Sequence, residues 1–241
     1  MSRKVFISLF FTSGTLFCGN AGFWQLRRKK WKEQLIETRS KYMNLEPYEV
    51  KLPLPTDEDL IFKPCKMTGK FDHSKEMLIL RKYEDQNGYR VITPFYIQEN
   101  AGFLVSRGWV PLSHKDISTR PEPQGLVTIT GVLREGEEAS QYTPANSQRL
   151  KEWYFIELPI MSQYCNLNNP ESKNFLMQEM NWAREREIYE EEGLPELPIK
   201  SVKSDLLNWY VMPVTHASYA TFWFSSSAIC LFFNLLVLLR H

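Results

Sequence analysis

The two ends of the chain are strongly apolar, whereas the middle alternates between polar and apolar positions. No charged side chain occurs between Val5 and Leu26 or between Leu206 and Leu239. A helix over the first run is roughly 33 Å long at about 1.5 Å per residue, and the hydrocarbon core of a bilayer is about 30 Å thick. The most apolar part of the second run, Tyr219–Leu239, is also long enough to span. The pattern therefore predicts a membrane-spanning helix at each end.

The first predicted helix continues past the membrane. Trp31, Leu35 and Tyr42 recur at helical spacing among charged residues, which is typical of an amphipathic helix. A cleavable signal peptide is the alternative for the first run, but the basic cluster Arg27–Lys30 stands where a cleavage site would be expected. We therefore predict an uncleaved first transmembrane helix over residues 1–26, which continues as an amphipathic helix to about residue 43.

Residues 44–212 have the pattern of a soluble, β-rich domain. Short segments rich in β-branched and aromatic residues are separated by turn signals, and the dipeptide Asn87-Gly88 is typical of a tight turn between two strands. This number of short strands predicts a small antiparallel β-barrel or a sandwich. The predicted strands are residues 61–71, 77–83, 89–95, 103–109, 127–133 and 153–158.

The segment Pro170–Glu192 differs from the rest of this domain. Apolar positions recur among many glutamates and arginines, and no glycine occurs before Gly193, so we predict an inserted acidic helix here. A last strand is expected over Asn208–Val211, and the second transmembrane helix over residues 213–241. The predicted fold class is an α+β membrane protein in which N- and C-terminal transmembrane helices flank the soluble domain.

Charge balance and residue inventory exclude several classes of function. The chain has 29 basic and 28 acidic residues, so it lacks the charge excess typical of a nucleic-acid-binding protein. His73 and His114 are the only histidines of the middle domain, and neither lies in a catalytic or metal-ligand pattern. No CxxC pair or phosphate-binding glycine loop occurs. We therefore predict a protein that is not an enzyme. The sequence leaves open whether a disulfide joins Cys65 and Cys165.

Two membrane spans place both termini on the same side of the bilayer. More lysines and arginines follow the first span than precede it, since Arg27–Lys30 and Lys32 outnumber Arg3 and Lys4. By the positive-inside rule, this count places the middle domain on the cytoplasmic or matrix side.

Two local motifs have both a structural and a functional interpretation. In Arg107-Gly108-Trp109, the structural one has Trp109 in the core and Gly108 at a β-bulge, and the functional one is an exposed Arg-Trp recognition edge. We favour the first, because large aromatic side chains usually dominate cores. His216 lies where the second apolar run begins, and it is either an interface anchor or a ligand. Tyr219 and Trp223 follow at i+3 and i+7 on the same helical face.

Five sequence blocks occur in order along the chain. They are Gly22-Phe23-Trp24-Gln25 with Arg27, Arg28, Trp31 and Lys32; Gly88–Phe95; Val105–Pro111; Gly131–Arg134 with Pro144-Ala145-Asn146 and Trp153-Tyr154; and His216–Tyr219 with Trp223. Together they resemble the signatures of the Surfeit locus protein 1 family. Ser106 replaces the usual asparagine of the third block, and Val214 and Ala217 replace the usual asparagine and leucine around His216.

The resemblance implies a chaperone-like assembly factor for cytochrome c oxidase, complex IV of the respiratory chain. It implies a two-pass protein of the mitochondrial inner membrane with its soluble domain in the intermembrane space, against the charge count. We follow the resemblance, because Arg27–Lys30 can reach lipid headgroups from an interfacial helix.

The partner implied by the resemblance is oxidase subunit 1, whose maturation the chain would support within the lipid membrane. The cofactor implied is heme a, with His216 as its ligand beside Tyr219 and Trp223, since imidazole is a common axial ligand of heme iron. The alternative is an accessory subunit retained in the mature oxidase, with a structural role and no heme ligation. The changed residues Val214 and Ala217, together with the predicted acidic helix, favour that alternative.

Overall fold

The computed structural model describes residues 3–55, 60–183, 196–208 and 211–239. The chain divides into two compact units, one formed by residues 1–40 with 207–241 and the other by residues 41–206. The first unit contains the two long apolar helices, and the second contains the β-strands.

Helix α1 (Arg3–Met43) and helix α4 (Pro213–Leu239) are both long and apolar enough to cross a membrane. They fit a two-pass membrane protein. On α1, three of the contacts with α4 are seven residues apart, at Ser8, Thr15 and Gly22, as in helices that pack side by side. The Ser8 hydroxyl donates a hydrogen bond to Asn234 Oδ1 (2.8 Å), and the Ser227 hydroxyl donates to the Thr15 carbonyl (2.8 Å). Gly22 lies against the Phe224 ring.

The β-rich unit is a closed barrel with additional short elements. The strands are β1 (Tyr48–Glu49), β2 (Pro64–Phe71), β3 (Met77–Tyr83), β4 (Gln86–Gln98), β5 (Ala101–Pro111), β6 (Val127–Arg134) and β7 (Leu176–Glu179). Five strands form the closed ring in the order β2-β6-β7-β5-β4, and β4 pairs with β2 again. The first half of the long strand β4 pairs with β3, while its end pairs with β2.

Short helices lie between the strands and after the last of them. The helices are α2 (Leu158–Tyr164) and α3 (Lys203–Leu207), with single 3-10 turns at His73–Lys75, Leu112–His114, Ile117–Thr119 and Pro170–Lys173. The prediction of a purely antiparallel barrel was wrong in one respect, since β7 runs parallel to β5 and β1 parallel to β2.

Two apolar clusters stabilise the barrel. One takes side chains from all five ring strands, including Met67, Phe95, Phe103, Leu133 and Met177. The other joins β3, β4, β5 and β7 to helix α2 and its approach, through residues such as Ile79, Leu104, Trp153 and Met161. Because each ring strand contributes to a core, closing the ring buries apolar surface that an open sheet would expose.

The predicted acidic helix over Pro170–Glu192 was wrong where the structure describes it. Pro170–Lys173 is one 3-10 turn, and Leu176–Glu179 is β7, which closes the barrel between β5 and β6. All four residues of β7 are buried, a pattern typical of a strand with neighbours on both edges rather than of an amphipathic helix. Residues 184–192 of that prediction lie outside the described residues, as does the centre of the predicted strand Asn208–Val211.

Two further local predictions were wrong. Asn87-Gly88 lies within β4, and the hairpin turns instead at Glu84-Asp85. A side chain at Gly88 would collide with Val110 and the Trp109 ring, so the glycine is needed for the close packing of these residues. The segment 153–158 forms an isolated bridge rather than the predicted strand. Asn146 accepts from the Tyr154 amide (2.8 Å) and donates to the Phe155 carbonyl (3.1 Å), so a side chain partly replaces a strand neighbour.

Candidate functional site

His216 of α4 is in contact with Gln25 of α1. The distance between His216 Nδ1 and Gln25 Oε1 is 2.6 Å, and the two residues are only 7% and 8% exposed. Gln25 belongs to the first sequence block and His216 to the last, so the helix pair brings together residues 191 positions apart. A buried polar pair of this kind is stable because each group satisfies the other.

This contact determines which ring nitrogen of His216 carries the proton. The facing atom of Gln25 is its oxygen, an acceptor, so Nδ1–H is the donor. Nε2 then keeps its lone pair, and no hydrogen-bond partner for it occurs within the described ranges. It is not among the fully enclosed polar atoms. In metal-ligating histidines the second nitrogen is typically held in this way, so the arrangement is compatible with iron ligation through Nε2.

Tyr219 and Trp223 lie in different surroundings. Tyr219 is 48% exposed, whereas the Trp223 ring packs edge-on against Phe17 of α1 at 5.9 Å between centroids. Neither contacts His216 through a hydrogen bond in the described structure. The expectation that both rings flank a heme stays a prediction.

The remaining residues of the first sequence block surround Gln25 on α1. Trp24 is exposed, while Lys32, two turns further on, is 8% exposed and has its ammonium 5.9 Å from the centre of the Trp31 ring. These positions follow from helical periodicity, because Gln25 and Lys32 are seven residues apart and share one face.

The motif Arg107-Gly108-Trp109 is packed into the barrel, as its structural interpretation predicts. Val91 pairs with Gly108 and Ile92 with Ser106, which leaves Arg107 as the extra residue of a β-bulge. Gly108 has φ +144°, a region that favours glycine, and its Cα faces the Ile199 carbonyl too closely for a side chain. Trp109 is 7% exposed, and its indole nitrogen donates to the Arg81 carbonyl (2.9 Å). An exposed Arg-Trp edge is therefore not present.

Arg107 belongs to a buried charge cluster that the sequence did not indicate. Glu76 forms ion pairs with Arg120 and with Arg107, the latter at 3.8 Å, and all three side chains are at most 6% exposed. Arg107 also lies over the Phe71 ring at 5.2 Å and donates to the Pro121 carbonyl (3.0 Å). The three charged residues come from separate segments, so no local motif marks them.

Burial dominates the electrostatics of this cluster. Desolvation raises the pKa of Glu76 above its ordinary value, although the guanidinium groups of Arg120 and Arg107 oppose the rise. The cluster joins the bulged strand β5 to the segments before β3 and after β5, and we interpret it as structural.

The other residues considered for chemistry are held apart from one another. His73 Nε2 lies 3.0 Å from the Pro123 carbonyl, and His114 Nδ1 lies 3.0 Å from the Ser113 hydroxyl. In the described part of the chain, no three histidine, cysteine or acidic side chains group as a metal site. Cys65 and Cys165 are free and buried in different apolar clusters, and burial raises the pKa of each thiol to about 12. No disulfide joins them.

Comparison with known proteins identifies similar sequences over most of the chain. The sequence model of the SURF1 family matches residues 14–228. Surfeit locus protein 1 of Gallus gallus is 34% identical over 168 residues, covering 62% of this chain and 54% of that protein. The Mus musculus protein of the same name is 32% identical over 164 residues, covering 59% and 52%. The Arabidopsis thaliana protein of the same name is 24% identical over an alignment of 276 residues, which covers 93% of this chain and 75% of that protein. The chain thus spans about half the length of the two animal relatives.

Proposed function

The chain belongs to the SURF1 family, and from this membership we propose that it is a non-enzymatic, membrane-anchored assembly factor for cytochrome c oxidase. In this proposal it acts in the mitochondrial inner membrane, binds oxidase subunit 1 and supports its maturation, including the supply of heme a. The observation that carries the heme part of the proposal is the hydrogen bond between His216 and Gln25.

The hydrogen bond supports the proposal through the tautomer of the histidine. Gln25 Oε1 accepts the hydrogen bond from the Nδ1–H group of His216, so the Nε2 lone pair of His216 is available to a metal at the end of the apolar helix. Heme a, when bound, would supply an iron that the Nε2 atom of His216 can ligate. Tyr219 would present an exposed ring beside it, and the Phe17 contact would restrain Trp223.

The test of heme binding is the Soret absorbance of the full chain, purified from cells that make heme a. We expect His216→Ala to abolish the absorbance. Gln25→Leu should weaken it, because Nδ1 then loses its acceptor. His114→Ala is the matched control, since His114 contacts only Ser113 through its ring in the described structure and should leave the spectrum unchanged. An unchanged spectrum in His216→Ala would refute ligation by this residue.

A second candidate function is favoured by the burial of the same pair. If the hydrogen bond between His216 and Gln25 serves only to join α1 and α4, His216 ligates no heme, and the second candidate is an accessory subunit retained in the oxidase. The two functions differ in stoichiometry. An assembly factor co-purifies with subunit 1 in immature complexes and is absent from active oxidase, whereas an accessory subunit is present in active oxidase at one copy per complex.

The proposed location is tested by digestion of mitoplasts. We propose that the barrel lies in the intermembrane space, so a protease added after rupture of the outer membrane should cut exposed barrel residues such as Tyr142 and Leu150. Protection of these sites in mitoplasts, with cleavage only after detergent is added, would place the barrel in the matrix as the charge count predicts.

A further inference from the structure

One face of α1 combines two tryptophans with two arginines. Trp24, Arg27, Arg28 and Trp31 are spaced i, i+3, i+4 and i+7, so they form a continuous stripe on the helix. This Trp-Arg stripe points roughly 130° away from the buried side of α1, which carries Gly22 and Gln25, at about 100° per residue. The stripe therefore faces away from helix α4.

The stripe is exposed, and its two charges form no salt bridge with any residue that the structure describes. Trp24 is 52% and Trp31 46% exposed, and both arginines are exposed as well. Within the residues that the structure describes, neither Arg27 nor Arg28 forms a salt bridge, whereas the adjacent Lys29 pairs with Glu33 at 3.0 Å. The guanidinium carbon of Arg28 lies 4.3 Å from the centre of the Trp31 ring. Stacking of this kind orients a guanidinium group and leaves its N–H edge available.

The stripe lies at the boundary of the membrane-spanning part of α1. The uncharged run ends at Leu26, so Arg27 and Arg28 follow directly at the depth of lipid headgroups. Tryptophan side chains also prefer this layer. A guanidinium group forms paired hydrogen bonds with a phosphate, and two adjacent cations disfavour a headgroup that carries its own cation.

We propose that the Trp-Arg stripe is a binding site for the phosphate headgroup of an anionic phospholipid. Arg27 and Arg28 bind the phosphate, Trp31 orients Arg28, and Trp24 lies against the upper acyl chain. Lipid binding would also account for a basic cluster on the domain side of the first span, because bound headgroups neutralise its charge. The site depends on membrane insertion of α1 and is independent of heme ligation by His216.

The experiment is native mass spectrometry of the detergent-solubilised full chain with equal amounts of phosphatidylglycerol and phosphatidylcholine. We expect the unaltered chain to retain phosphatidylglycerol preferentially. We expect Arg27→Gln/Arg28→Gln to lower its retention about tenfold or more, since it removes the charge-assisted hydrogen bonds to the phosphate, and a single bond of this kind contributes about a tenfold factor. Lys29→Gln/Lys30→Gln removes the same charge outside the stripe and no hydrogen bond to the phosphate, so it should lower retention less than the arginine double variant does.

Each alternative outcome overturns the proposal. Equal retention of the two lipids by the unaltered chain would overturn the proposal, whatever the variants show. Equal losses in the two double variants would show diffuse charge attraction rather than a site. Inorganic phosphate, compared with chloride at the same ionic strength, should not displace the lipid, and displacement would assign the site to free phosphate. Gel filtration and helical circular dichroism of each variant establish that it is folded.

Discussion

At the residue scale, the packing of the two apolar helices depends on small side chains at particular positions of α1. Gly22 faces the Phe224 ring, and a Cβ atom built there would lie 2.7 Å from the ring. Gly19, in the same helix, faces Ser227 Oγ at an ordinary 3.6 Å. Only Gly22 must be a glycine, because only there does a ring of the other helix approach too closely for a side chain.

We predict that Gly22→Ala lowers the stability of the helix pair by about 1–3 kcal/mol, because the ring must move to accommodate the new methyl group. Gly19→Ala is the matched control and should be neutral or slightly stabilising, since alanine favours a helix. Thermal unfolding of the full chain in detergent, followed by the helical signal, measures both. Equal effects of the two substitutions would contradict the close contact at Gly22.

Cys65 and Cys165 provide a pH-dependent prediction. Burial raises the pKa of each thiol from 9.0 to about 12, so the folded chain keeps both protons in a range where the unfolded chain loses them. The folded state then binds more protons, and the free energy of unfolding falls as pH rises from about 9 towards 12.

We expect denaturant unfolding of the barrel to show this decline between about pH 8 and about pH 10.5, and to show less of it in Cys65→Ala/Cys165→Ala. The double variant corrects for tyrosines and lysines, which titrate in the same range. An identical pH dependence of the two proteins would mean that the thiols are not enclosed in the folded state.

At the element scale, strand β7 depends on its neighbours more than on its own sequence. Four buried residues are bonded on one edge to β6 and on the other to β5, and they complete the ring. The bulge at Arg107 in β5 likewise depends on a residue from another segment of the chain. Glu76, from the segment before β3, supplies the counter-charge that a buried arginine requires.

We predict that Glu76→Ala destabilises the barrel by about 3 kcal/mol or more, because it leaves Arg107 and Arg120 enclosed without a counter-charge. Glu76→Gln should cost less, since it keeps an acceptor for Arg120. Asp85→Ala breaks the exposed pair with Lys82 and serves as the control, for which we expect no measurable change. Denaturant midpoints of the three variants decide the prediction, and a Glu76→Ala midpoint equal to that of Asp85→Ala would contradict it.

At the scale of the whole molecule, the chain consists of two units whose surfaces differ. The helical unit presents apolar side chains such as Phe6, Phe17 and Phe222 on its surface, as a membrane-spanning pair does. The barrel encloses its apolar side chains in two clusters built from its own residues. The barrel therefore has a complete core without the helices.

We predict that the fragment 41–206 is soluble without detergent and unfolds in one cooperative transition, because both clusters lie within it. Circular dichroism of the fragment should show β-structure that melts at a defined temperature. Aggregation of the fragment, or a gradual loss of signal, would mean that the barrel needs the helical unit to fold. The full chain should stay in the membrane fraction after alkaline washing.

The sequence by itself determined the features that depend on local composition and periodicity. Two uncharged runs of sufficient length predicted the apolar helices, and alternating segments predicted most of the strands, because burial against lipid or against one face of a sheet leaves a short-range pattern. The ordered sequence blocks predicted the family, which the match over residues 14–228 confirmed.

Tertiary structure alone decided the features that depend on distant neighbours. The charged sequence around Leu176–Glu179 indicated a helix, and only the free edges of β5 and β6 made it a strand. Asn87-Gly88 indicated a turn, but the Trp109 ring required its glycine within a strand. The tautomer of His216 follows from Gln25, which is 191 residues away in the chain, because a hydrogen bond is determined by positions in space.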